Sequence, residues 1–239
     1  MTFKLAFKYL FRLFLLAILV ISIYLINLFF MKPFSIDHFL AKETFLEIVD
    51  SPESMTYIGI FDKYNWFTGH ASKLTIPSPE KLNRDKAKAR KILETLRSYD
   101  DENLSDNQRA SKKIAIFDTE NTLLRLETFP FHEYVLNQIG GAHIDMVEFM
   151  TDTHPIRNLY EAEAYIERVR LFENVFEGHL YELNEQRAID FYAPKFVYER
   201  VITQLDEFLN FSFEDHPIYT EFDRKIRDLD LSEHQKTEL

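Results

Sequence analysis

The stretch Asn158–Phe176, NLYEAEAYIERVRLFENVF, decides the fold class. Its apolar residues Ala164, Ile166, Val169, Phe172 and Phe176 recur mostly three or four apart, the period of one helix face rather than of a strand. Asn158 starts the helix. Gly178 marks either a bend or a close approach by another helix, with helix resuming to about Phe191.

The same period extends outward in both directions. Pro194 begins a helix that buries Phe196, Val197, Val201, Leu205 and Phe208. Upstream, Ser105-Asp106-Asn107-Gln108 is a capping box, in which the serine and glutamine side chains satisfy each other's orphan N–H groups. It opens a helix through Ile114, Ile116, Phe117, Leu123 and Leu124. Ser78-Pro79-Glu80 places Pro at the first helical position, where its missing N–H costs least. That helix runs to about Tyr99 with Leu82, Ala89, Ile92, Leu93 and Leu96 on one side, leaving the basic cluster from Arg84 to Lys91 as a solvated face. Ser35 caps a helix with the face Phe39, Leu40, Phe45, Leu46 and Val49, closed by Pro52. Only Met55–Ile76 is irregular, and Thr56–Ile60 reads as a short extended piece. The expectation is an all-α body.

Composition agrees. Five glycines in 239 residues are roughly 2%, against a usual share of about 7%, which disfavours phosphate loops and hairpin-rich folds. Without cysteine there is no disulfide, thiolate zinc site or cysteine nucleophile. A net charge of −11 disfavours nucleic acid, whose binding needs Lys and Arg to neutralise phosphates.

The first 34 residues differ from the rest. They hold Lys4, Lys8, Arg12 and Lys32 and no acid, which leaves residues 35–239 with 24 bases against 39 acids, a charge of −15. Leu13 to Met31 are 19 consecutive uncharged, mostly apolar residues. As a helix they span roughly 28 Å, close to a bilayer's hydrocarbon core. The exit, Asn27-Leu28-Phe29-Phe30-Met31-Lys32-Pro33-Phe34, offers no small residue for signal cleavage, so an uncleaved anchor is expected. Three bases precede the span and one follows it, which predicts a cytoplasmic N-terminus. Residues 1–34 are then tail and anchor in the cytoplasmic (inner) membrane, and residues 35–239 a periplasmic or extracellular helical domain. Within the span, Ser22 and Asn27 read as tolerated polar residues.

No catalytic constellation emerges. His132-Glu133-Tyr134-Val135-Leu136 puts leucine where a zinc protease needs its second histidine. His132, His143 and His154 are spaced 11 apart, with Asp145 and Asp152 between them, which matches no local ligand motif. His154 reads as bonding locally in a Thr-His-Pro turn, and His143 as capping or packing. The acid pairs Asp100-Asp101 and Glu161/Glu163 read as solvated. No catalytic, cofactor-binding or metal-binding residue is assigned.

From Phe129 to Tyr219 the sequence resembles a bacterial family known as domain of unknown function 885. The likeness rests on Phe129-Pro130-Phe131-His132, Gly140-Gly141-Ala142-His143-Ile144-Asp145, Phe149-Met150 and Thr153-His154-Pro155-Ile156. It continues through Ala162-Glu163-Ala164-Tyr165-Ile166 with Arg168, Pro194-Lys195-Phe196-Val197, Glu199-Arg200-Val201, Gln204 and Pro217-Ile218-Tyr219. Residues 35–128 fit more loosely. The segment Ile189–Ala193 lacks a glycine that the family pattern leads one to expect.

The resemblance implies a mostly helical, exported or membrane-tethered protein similar to zinc metallopeptidases, with peptides as possible substrates of the full-length form. Family members are more than twice as long, and their zinc motif, H-E-x-x-P-G-H-H, lies in a C-terminal half absent from this sequence. The expected function is therefore a non-catalytic N-terminal fragment of a membrane-anchored zinc metallopeptidase, with zinc only in the missing half. The alternative is a complete anchored helical binding module without enzymatic activity. Two further expectations follow. Ser232-Glu233-His234-Gln235 repeats the S-x-x-Q opening with only seven residues after Ser232, as if a helix were cut short. Helices 195–210 and 218–229 should present Phe196, Phe208, Phe211, Phe213 and Tyr219 without partners.

Overall fold

A computed structural model describes residues 3–227, 229–232, 234–235 and 239. Met1 and Thr2 of the tail, Asp228 of the last expected helix and Glu233 of the terminal capping box lie outside them, as do residues 236–238. Among the described residues there are helices and no strands. The chain divides into two compact units: residues 1–47 with 88–122, and residues 48–87 with 123–239.

The first unit contains α1 (Phe3–Phe30), most of α2 (Ile36–Asp50) and the ends of two longer helices. From Phe7 to Phe30, α1 is long and apolar enough to cross a membrane, and almost none of it is buried. Asn27 is neither a bystander nor a link to a neighbouring helix. Its Nδ2 donates to the Lys32 carbonyl at 2.7 Å and its Oδ1 accepts from Phe34 N–H at 2.8 Å, so it closes the helix exit. The unit's core is Ile36, Phe39, Leu96 and Tyr99. Tyr99 donates its hydroxyl to the Pro33 carbonyl at 2.7 Å, and burial pushes its pKa up to about 12. Phe45 and Leu46, expected in the core, are exposed.

The second unit carries α3 (Pro52–Ile58), α4 (Asn65–Thr68), α7 (Ala142–Glu148), α8 (Leu159–Arg170), α9 (Phe172–Ala188), α10 (Lys195–Leu209) and α11 (Pro217–Arg227). The chain passes between the units within α2, α5 (Pro79–Arg97) and α6 (Asp106–Thr128). The capping box that opens α6 forms as expected: Ser105 N–H donates to Gln108 Oε1, and Gln108 N–H to Ser105 Oγ. Thr56–Ile58 is helical rather than extended, because Ser51 caps Ser54 N–H and Pro52 sits in the first turn.

The long helix expected from Asn158 is two helices that break at Leu171, while α9 runs straight through Gly178. Gly178 serves close approach instead, and what approaches is the Pro77 backbone: a Cβ there would lie 2.4 Å from the Pro77 carbonyl oxygen. The buried face of α8 also differs. It is Glu161, Ala162, Ala164, Tyr165 and Arg168, while Ile166 and Val169 pack only partly. On α10, Val197 and Val201 are buried, but Phe196 points to solvent. Of the aromatics expected without partners, Phe196, Phe211 and Phe213 are exposed. Phe208 packs against the core, and Tyr219 lies against Phe213.

Asp190 lies in the segment Ile189–Ala193, which lacks the expected glycine. It follows α9 with φ +55°, the left-handed region, and Phe191 N–H donates back to the Gln186 carbonyl at 2.9 Å. That is the helix-ending turn for which glycine is preferred, because it has no Cβ to clash. We expect Asp190→Gly to raise the unfolding free energy by about 1 kcal/mol, read by chemical denaturation. Unchanged or lower stability would count against the strain.

Candidate functional site

The deepest feature of the second unit is a buried cation. Arg168 of α8 has no exposed surface. Its Nε donates to the Lys73 carbonyl at 3.0 Å, and its Nη2 to Thr56 Oγ1 at 2.7 Å, the His70 carbonyl at 2.8 Å and the Pro52 carbonyl at 3.3 Å. Nη1 donates to His154 Nδ1 at 2.7 Å, and the guanidinium lies 4.8 Å from the Phe149 ring centroid. Burial lowers the Arg168 pKa to about 10, still well above neutrality.

This geometry fixes the state of His154. Arginine only donates, so Nδ1 must be the bare nitrogen, and Nε2 carries the proton that goes to the Glu161 carbonyl at 3.2 Å. Burial, and after it the Arg168 charge, drive its pKa down to about 3. His154 therefore bonds well beyond its own turn, contrary to the local reading. Glu161, read as solvated, is buried and takes Arg157 in a forked pair: Nη2 donates to Oε1 at 2.6 Å and Nε to Oε2 at 3.0 Å. The Arg157 Nη2 also reaches Asp62 at 2.8 Å. These carboxylates hold the Arg157 pKa above its ordinary value. Lys225 of α11 donates to the Thr151 and His154 carbonyls at 2.6 and 2.8 Å, closing the π-helical turn Phe149–Thr153.

In front of this network lies a cleft with two adjoining lobes that share Thr75, Tyr134, Val135 and His179. One lobe, of about 460 Å³, is walled by Gly140, Gly141, Ala142, Asp145 and Phe149, with Glu53 opposite. Glu53 is held by Thr75, whose hydroxyl donates to Oε2 at 2.7 Å. The other lobe, of about 440 Å³, has an ion pair in its wall, Lys81–Asp85 at 2.7 Å, and a hydrogen bond between His179 Nδ1 and Glu182 Oε2 at 2.9 Å. The Gly140-Gly141 turn is shaped by Asn137, whose Oδ1 accepts from Ile139 and Gly140 N–H. A Cβ on Gly141 would lie 2.7 Å from the Asn137 nitrogen.

The three histidines go to separate places. His132 packs between Phe129 and Phe191. His143 is buried with Nε2 at 3.1 Å from Gln204 Oε1, and His154 sits in the arginine network. Among the described residues no three His, Asp or Glu side chains group as a metal site. The string His132–Leu136 does not make a zinc-protease site: His132 is held by aromatic rings, Glu133 pairs with Arg125 at 3.6 Å, and Leu136 cannot ligate. Residue reasoning missed the roles of Arg168 and Glu161. The available signal was their spacing of seven with Tyr165 between, one stripe of α8.

The fold defines, among the described residues, an all-helical protein without strands, and Pro130, Phe131, Gly140, Gly141, Ala142, Asp145 and Phe149 of the stretches that carry the sequence resemblance line its cleft. The chain belongs to the family described as bacterial protein of unknown function (DUF885), whose model matches residues 52–239. It is similar in structure to the "putative lipoprotein from Colwellia psychrerythraea", with a TM-score of 0.67 and 21% identity over 80% of this chain and 34% of that one. It thus spans about a third of that protein's length. Among curated proteins none matches.

Because His154 is neutral when folded and an unfolded histidine titrates near 6.5, its contribution is complete above that pH. As pH falls from about 6.5 toward 3, the unfolded chain takes up a proton that the folded site refuses, at up to ~1.4 kcal/mol per pH step. Below about 3 both states are protonated and the slope ends. We expect denaturation midpoints to fall over this window and His154→Gln to flatten that slope while lowering stability at pH 8. An unchanged slope in the variant would assign the pH dependence elsewhere.

Proposed function

We propose that this chain is a non-catalytic N-terminal region of a membrane-anchored zinc metallopeptidase, and that its cleft forms part of the surface along which an extended peptide lies. The observation that carries the reading is the coincidence of cleft and signature. Pro130 and Phe131 line one lobe, and Gly140–Ala142, Asp145 and Phe149 the other, with His154 and Arg168 behind. A two-lobed groove with Met146, Phe149 and Phe172 along one part and paired charges along the other suits a peptide, which offers both apolar side chains and backbone polar groups.

The anchor is the second part of the proposal. Residues 13–31 hold the chain in the inner membrane with the N-terminus inside and the body outside. The span's length and the excess of bases before it support this, and the lipoprotein neighbour fits an envelope location. The zinc and the groups that activate water belong to sequence beyond these residues, so no step of hydrolysis is assigned to this chain.

The test uses the full chain in detergent micelles with a library of quenched fluorescent peptides. The expected result is saturable peptide binding, read by anisotropy, without hydrolysis. Chelator-sensitive turnover would contradict the non-catalytic reading, and absence of binding across the library would remove the peptide groove.

A further inference from the structure

The loop after α3 is unusual in what it shows to solvent. From Tyr57 to Phe67, six large apolar or aromatic side chains are exposed: Tyr57 79%, Ile58 43%, Ile60 64%, Tyr64 58%, Trp66 76% and Phe67 78%. Single exposed apolar residues are ordinary, but a contiguous group marks a surface that something covers. The loop is held in shape rather than collapsed. Gly59 and Gly69, at φ +69° and +58°, bound it with turns that disfavour other residues. At its base Thr68 Oγ1 lies 2.7 Å from His70 Nδ1.

Charge selects the partner. The loop's one acid, Asp62, is turned inward, 16% exposed and paired with Arg157 at 2.8 Å. The loop's other charged residue, Lys63, is exposed, on a body that otherwise carries a large excess of acid. Tryptophan and tyrosine rings settle at the headgroup level of bilayers because one edge is apolar and the other polar, and a lysine beside them meets phosphate. We infer that the Tyr57–Phe67 loop is a membrane-interface element that inserts its aromatic side chains into the headgroup layer of the bilayer. This rests on the reading of α1 as an anchor. A small apolar patch alone binds a bilayer weakly and reversibly, whereas a second attachment on the same chain makes the contact persistent through its effective concentration. The span supplies that attachment, and the loop restrains how the body meets the surface.

Trp66 is the sole tryptophan and reports on the loop directly. The full chain is reconstituted into phosphatidylcholine vesicles, with flotation reporting the anchor and Trp66 fluorescence reporting the loop. We expect the chain to float, Trp66 emission to be blue-shifted, and lipids brominated near the headgroup to remove most of its intensity. The double substitution Ile60→Ser and Phe67→Ser should still float but lose most of the bromolipid quenching. A floating chain whose Trp66 emits as a hydrated indole, quenched by aqueous acrylamide and not by bromolipid, would overturn the loop proposal and leave the anchor standing. Shielding from both quenchers would assign the loop to a protein partner and overturn it equally. Failure to float would overturn the anchor, and the loop proposal with it.

Discussion

The second unit depends on one buried guanidinium. Moving a cation out of water costs several kcal/mol even after relaxation, and among the described residues no carboxylate hydrogen-bonds Arg168 to offset it. The offset comes from carbonyl dipoles, a threonine hydroxyl, an imidazole nitrogen and an aromatic face. Those groups belong to α3, the turn at His70–Ser72 with Lys73 after it, and the π-helical turn with His154 after it, so one side chain ties three short elements to α8. Charge-assisted hydrogen bonds are the strong ones, at about 1.5–3 kcal/mol each, and leaving such acceptors unpaired costs similar amounts. Short helices such as α3, with seven residues, have little stability of their own and need such a tie.

The same tie shapes the cleft. Phe149 faces the cleft and also lies against the guanidinium, while Glu53 lines the opposite wall from the first turn of α3. Lys225 and Glu161 secure the two ends of the segment between, through the His154 carbonyl and the Arg157 side chain. A substitution at Arg168 would therefore reach the cleft without touching it.

Helix content was legible from period and caps. Ser105–Gln108, Asn158 and Pro79 each begin helices where their chemistry places them. The apolar span was legible from length alone. Faces were harder to assign, because a count of apolar residues assigns Glu161 and Arg168 to solvent. In fact they are buried: Arg168 meets partners some hundred residues away in sequence, and Glu161 takes Arg157 from just before the helix. The same blindness put Phe45 and Phe196 inside. The cleft was not legible in the sequence: its residues come from five separate stretches that the fold brings together. The segment Ile189–Ala193 shows the converse, since a missing glycine was noticed in the sequence and Asp190 within it takes a left-handed turn.

The most direct test of Arg168 as the tie is hydrogen–deuterium exchange on the full chain, comparing the parent with Arg168→Met. The account predicts that amides of residues 52–58, 70–73 and 149–154 lose protection together while α10 keeps its own. Unchanged protection in those three segments, or loss confined to α8, would contradict it.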